Sequence, residues 1–243
     1  MKIFLAGATG AIGKRLVPLL LAAGHEVTGT TRSEGKAGAL RTAGVLPLVV
    51  DVFDASSLSR AVATVKPDVV VHQVTDLPPG LDPSQMAEAT PRNAHVRKEG
   101  TRNLVSAALQ AGVRRFVSQS IAWIYAPGGE PHREDDPLDV HAEGSRAITV
   151  DGVATLERLT LSSTPLVGTV LRYGHLYGPG TGARSIPESP SLHVDAAASA
   201  ALLAIEKERS GTYNIADRNG YLSIAKARRE LGFDARFRLD DRA

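Results

Sequence analysis

Along the first 170 residues, short β-branched or apolar runs alternate with longer stretches of helical periodicity. The runs cover residues 2–5, 26–30, 46–50, 68–72, 114–118 and 166–171. Each is too short for a helix, and apolarity without a polar alternate is what a strand buried on both faces of a parallel sheet requires. Between the first two runs, Ile12, Leu16, Leu19, Leu20 and Ala23 form a helical stripe that stops at Gly24, a left-handed cap. Pro18 lies inside that stripe and is expected to kink the helix or cost it about 3 kcal/mol. Further helices are predicted over residues 55–64, 96–111 with Gly112 as cap, and 147–162. Strands alternating with helices need right-handed crossovers and a sheet covered on both sides. The pattern therefore predicts a doubly wound α/β domain over residues 1–178.

Two stretches break the rhythm. Residues 75–91 are rich in proline and aspartate, and residues 126–144 are rich in glycine, proline and acid. Both follow strands, at the carboxyl edge where open α/β sheets bind ligands, so both are candidate binding loops. From residue 179 the chain turns irregular, then offers a helix over 196–206, a strand over 212–216 and a helix over 223–231. This small C-terminal region, 179–243, is too short for its own core and is expected to pack on the main domain and shape a substrate pocket. No internal repeat or heptad is present.

Composition narrows the chemistry. With 243 residues, 43% of them apolar, and a formal net charge of +2, the chain can build a core, which excludes a disordered protein. Cysteine is absent, which excludes disulfides, thiolate metal sites and cysteine nucleophiles. The longest apolar run, residues 16–23, contains a proline and falls short of a membrane span, and residues 1–5 read as a buried strand and not a leader. A soluble cytoplasmic protein is expected. The near balance of charge predicts no nucleic-acid surface, and Arg114 and Arg115 form only a short basic cluster. No histidine spacing suggests a metal site, and neither a Gly-x-Ser-x-Gly elbow nor a P-loop is present.

The strongest motif is Gly7-Ala8-Thr9-Gly10-Ala11-Ile12-Gly13, directly after the first strand and at the head of the first helix. Such a turn lets a phosphate approach the backbone, and the helix N-terminus then supplies free N–H groups and a favourable dipole. With Asp51-Val52, Val71-His72-Gln73, Glu99-Gly100-Thr101-Arg102-Asn103-Leu104, the run from Leu171 to Gly180, and His193-Val194-Asp195, the chain resembles the extended or atypical short-chain dehydrogenases/reductases, the group that includes nucleotide-sugar epimerases and dehydratases.

The resemblance implies a Rossmann-like fold and a dinucleotide held by Gly7, Thr9, Gly10, Ala11, Ile12 and Gly13. It also implies that Asp51 and Val52 meet the adenine, that Gln73 and Val74 pass beneath the cofactor, and that Ser118, Tyr173 and His175 contribute contacts. Charge selects the cofactor. An acid at the end of the second strand favours NAD(H), but here Thr31 and Arg32 stand at that end, so NADP(H) is favoured over NAD(H).

The family's tyrosine and lysine, four residues apart on the helix after the fifth strand, move a proton alongside the hydride. Aligning Glu157 with the glutamate that often follows puts Thr149 and Val153 in their places, and Arg97 replaces an asparagine that often precedes the Gly-Thr pair. Tyr125, Ser120 and His175 are the candidate substitutes. The leading expectation is hydride transfer to or from a small carbonyl or alcohol compound. The alternatives are an epimerase or dehydratase acting on a nucleotide sugar, for which the C-terminal region is short, and a non-catalytic NADPH sensor. The resemblance further implies a homodimer through the helices flanking the fifth strand.

Overall fold

The computed structural model describes residues 1–188 and 190–239. Seven parallel strands run in the order β3-β2-β1-β4-β5-β6-β9: Leu46–Val49, Glu26–Thr31, Lys2–Ala6, Val69–His72, Arg115–Ile121, Val167–Tyr173 and Gly211–Ile215. The strand order reverses between β1 and β4, which opens a crevice at their carboxyl ends. Burial of both sheet faces is visible within β1. Ile3 and Leu5 join one core cluster while Phe4 and Ala6 join the other, so one unbroken apolar run serves two cores.

Helices α1 (Ala11–Ala22) and α7 (Val194–Lys207) pack together on one side, and α3 (Ala55–Val65) with α5 (Thr101–Gln110) on the other. Helix α1 runs unbroken through Pro18, which is exposed, as is Lys14, whose carbonyl loses its helical partner. Gly24 has φ +77° and ends the helix as expected. Helix α2 (Glu34–Thr42) turns only Ala37 and Leu40 inward, too few to show as a stripe. A small pair, β7 (His175–Tyr177) and β8 (Ser191–His193), leads into α7, then β9, which joins the main sheet beside β6, and α8 (Ala225–Glu230).

Residues 75–91 are not a loop throughout. Apart from a single 3-10 turn at Pro79–Leu81, the chain is irregular to Asp82, whose carboxylate accepts the Ser84 N–H, and Pro83 then opens α4 (Pro83–His95). An aspartate cap followed by a proline at the first helical position starts a helix, and Pro91 is tolerated because it faces water. A π turn, Val96–Gly100, joins α4 to α5. Residues 126–144 remain irregular up to α6 (Gly144–Ser162). No helix among the described residues is long and apolar enough to cross a membrane.

Candidate active site

The crevice at the switch point is a cavity of about 920 Å³. Its floor begins at the turn between β1 and α1. Gly7 has φ +92°, and a side chain there would run into the Gln73 carbonyl, 2.7 Å away. A Cβ on Gly13 would overlap the Gly7 carbonyl oxygen. The glycines thus permit close packing of the helix on the turn, while α1 has no side-chain cap at Gly10 and no acid in its first turn. Its first N–H groups are left for an anion, which fits the pyrophosphate of a dinucleotide. Thr9, Gly10 and Ala11 line the cavity; Ile12 and Gly13 lie beneath it.

At the end of β2, Thr31 and Arg32 line the cavity, joined by two cations that the sequence reading missed, Lys14 and Lys36. Lys36 belongs to α2, whose weak periodicity hid it. On the far side of the switch point, Val52, Gln73, Val74, Tyr173 and His175 also line the cavity. Asp51 does not; its carboxylate accepts the Phe53 N–H at 2.9 Å. Ser118 is fully buried, its hydroxyl 2.9 Å from that of Thr160 on α6.

Val74 is positioned by His72. The buried imidazole accepts the Val74 N–H at Nδ1, 3.2 Å away, so its Nε2 carries the proton and donates to Thr101 at 3.1 Å. Desolvation, with the Arg97 charge a smaller contribution, lowers its pKa to about 4 and keeps it neutral.

The three candidate proton donors fall in different places. Ser120 lines the cavity but donates to Glu157 at 2.6 Å. Glu157 also receives two hydrogen bonds from Arg172, at 2.9 and 2.7 Å, and all three residues are buried. Tyr125 does not reach the cavity. Its hydroxyl donates to Asn214 at 2.5 Å and accepts from Arg172 at 2.8 Å, and burial pushes its pKa up to about 12. His175 does line the cavity, stacked on Trp123 with ring centroids 3.7 Å apart. Its Nδ1 is buried without a partner, and burial holds its pKa below the ordinary histidine value.

Helix α6 supplies no relay. Val153 is fully buried in the core and the Thr149 hydroxyl bonds the Ser145 carbonyl. Arg97, in the π turn, points to the cavity instead. The outer wall comes from two loops that meet where the Gly80 N–H donates to the Thr181 carbonyl at 2.8 Å. Among the described residues, no cluster suits a metal ion.

The comparisons agree with this geometry. Residues 3–191 match the model of the NAD dependent epimerase/dehydratase family. A 3-diazoavenalumate denitrifying reductase from a Streptomyces species is 42% identical over 238 residues, covering 89% of this chain and 76% of that protein. A dTDP-4-dehydrorhamnose reductase from Streptomyces griseus is 30% identical over 176 residues, covering 72% of this chain and 49% of that protein. Among solved structures, the UDP-glucose 4-epimerase of Thermotoga maritima superposes with a TM-score of 0.80 at 20% identity, over 97% of this chain and 94% of that one.

Proposed function

Since the chain belongs to the NAD-dependent epimerase/dehydratase family, we propose that it is an NADP(H)-dependent reductase that delivers hydride to a substrate whose reduction needs no tyrosine proton relay. The carrying observation is the catalytic face of α6, where a buried Val153 and a backbone-bonded Thr149 stand in the relay positions. When bound, the dinucleotide supplies the hydride. The chain's own residues hold it: free N–H groups at the head of α1, Val74 fixed by His72, and Arg32, Lys14 and Lys36 around the adenosine end. Those cations favour a 2′-phosphate. A charge-assisted bond of about 1.5–3 kcal/mol corresponds to roughly a ten- to hundredfold preference.

A carbonyl reduced by hydride leaves an alkoxide that must be protonated. An aryl diazonium does not: it takes the hydride, its carbon–nitrogen bond breaks, and arene and dinitrogen leave with charge and electrons balanced. The relative named as a denitrifying reductase makes a diazo compound the first substrate to try. The test is to follow NADPH oxidation and nitrogen release with 3-diazoavenalumate; one N2 per NADPH supports the reading. Turnover should then stay nearly flat from pH 6 to 9.

A second reading, reduction of a small carbonyl, is favoured by the unpartnered His175 at the cavity wall. It predicts turnover that follows a histidine titrating below its ordinary value and is lost in His175→Ala. Tight NADPH binding with no oxidation by either substrate class would overturn both and leave a sensor.

A further inference from the structure

Four cationic side chains line the cavity, and among the described residues no acid does. Lys14, Arg32 and Lys36 stand on the side of β1 and β2, where the switch-point geometry puts the phosphate-bearing half of a dinucleotide. Arg97 stands apart from them. It sits in the π turn, and its charge is felt by His72 at the end of β4 and shared with Glu157, which bonds Ser120 on β5. No phosphate of the dinucleotide is expected at that end.

Arg97 is only 7% exposed, and no side-chain hydrogen bond or ion pair to it is present among the described residues. Its nearest acid is already committed, because Glu157 is held by Arg172 at both oxygens and by Ser120. His72, the other titratable neighbour, is neutral, and Glu134 lies beyond Arg172 with its carboxylate on the Asn214 N–H. The three buried charges are therefore two guanidiniums and one carboxylate. The unmatched one is the one that faces the cavity. Burial draws its pKa down to about 10, so it remains a cation at neutral pH. A buried charge without a partner is costly, and the cost is recovered when a ligand supplies the counter-charge.

Three more residues of this cavity have buried polar atoms outside hydrogen-bond geometry, with the His175 Nδ1 one of them. Neither atom of the buried Gln73 amide makes a well-formed hydrogen bond, and neither does the buried Tyr173 hydroxyl, whose polar neighbour is Gln73. These are donors of the kind that an oxyanion accepts from, and the guanidinium fork matches a planar carboxylate. The neighbouring wall is the flat Trp123–His175 stack with Ile121. We infer that this end of the cavity is a recognition site for a substrate carboxylate, gripped by Arg97, on a molecule whose flat unsaturated body lies against Trp123. The inference rests on the reductase reading, since the carboxylate binds alongside the dinucleotide.

Trp123 is the chain's single tryptophan, so its fluorescence reads this cavity alone. The experiment titrates the NADP⁺-saturated protein with benzoate and cinnamate, their neutral amides, and inorganic phosphate. At least a tenfold preference for the carboxylates over the amides is expected in the unmodified protein. It should vanish in Arg97→Gln and be partly kept in Arg97→Lys, with NADPH affinity changed less than twofold in both. Equal binding of acids and amides, or of neither, overturns the proposal, as does phosphate outcompeting the carboxylates, which would make this a phosphate site. An Arg97→Gln protein that loses NADPH affinity in step with cinnamate affinity overturns it too. NADPH oxidation with the diazo and carbonyl substrates reports on the reductase reading, and carboxylate binding reports on this one, so the two fail separately.

Discussion

On the proposed reading, single side chains decide both ends of the cavity. Arg32→Ala should raise the NADPH dissociation constant roughly ten- to hundredfold and leave NADH binding nearly unchanged, as measured by fluorescence titration. Gly13→Ala places a methyl against the Gly7 carbonyl with backbone on every side. It should cost about 1–3 kcal/mol in urea unfolding and weaken NADPH and NADH alike, because the turn itself must shift. His72 makes stability depend on acid. Its folded pKa, about 4, lies below its unfolded value of 6.5, so the unfolded chain takes up the proton first. The stabilisation is complete above pH 6.5 and is lost as pH falls toward 4, by up to about 3 kcal/mol. Thermal unfolding from pH 7.5 to 4 should show this slope in the native chain and a shallower one in His72→Gln.

At the scale of elements, α6 matters for what it holds as much as for what it lacks. Glu157 ties α6 to β5 through Ser120 and to β6 through Arg172, all in the interior. Glu157→Gln would leave two buried guanidiniums with no counter-charge between them, and unfolding free energy should drop by about 3–5 kcal/mol. The π turn between α4 and α5 has an equally local cause and a wider effect. Gly100 packs against Val52, where a Cβ would sit 3.2 Å from the valine methyl, and Arg97, within the turn, lines the cavity. The sequence reading placed a regular helix over 96–111 and saw Arg97 only as a substitution. Periodicity registers which face is buried, and one inserted residue per turn is below its resolution.

For the whole molecule, β9 is the decisive piece. It lies 33 residues past the end of residue 178 in the chain, counting to Gly211, yet pairs in register with β6 from Thr169 to Tyr173. Asn214 on that strand also accepts from Tyr125. Denaturation should therefore be one cooperative transition by near- and far-ultraviolet circular dichroism, and a chain cut after residue 178 should lose it. The homodimer implied by the family resemblance remains a proposal, tested by sedimentation velocity at micromolar concentration; a monomer would remove it.

The parallel sheet and the glycine turn were legible in the sequence because each rests on local rules. Apolar runs too short for helices have nowhere to go but a two-sided sheet, and three spaced glycines between a strand and a helix have few uses besides close backbone approach. The missing relay was legible too, as Thr149 and Val153. What only the tertiary structure decided was which polar groups are already satisfied. Tyr125 looked free to donate a proton and is locked between Arg172 and Asn214; Ser120 is held by Glu157. Arg97 and Gln73 looked ordinary, yet Arg97 is buried with no ion pair among the described residues and the Gln73 amide is buried with no well-formed hydrogen bond. A hydrogen bond between residues 89 apart, as between Tyr125 and Asn214, leaves no trace in local pattern. Which cation in the cavity is buried as well as without a counter-charge therefore emerges only when the strands are side by side.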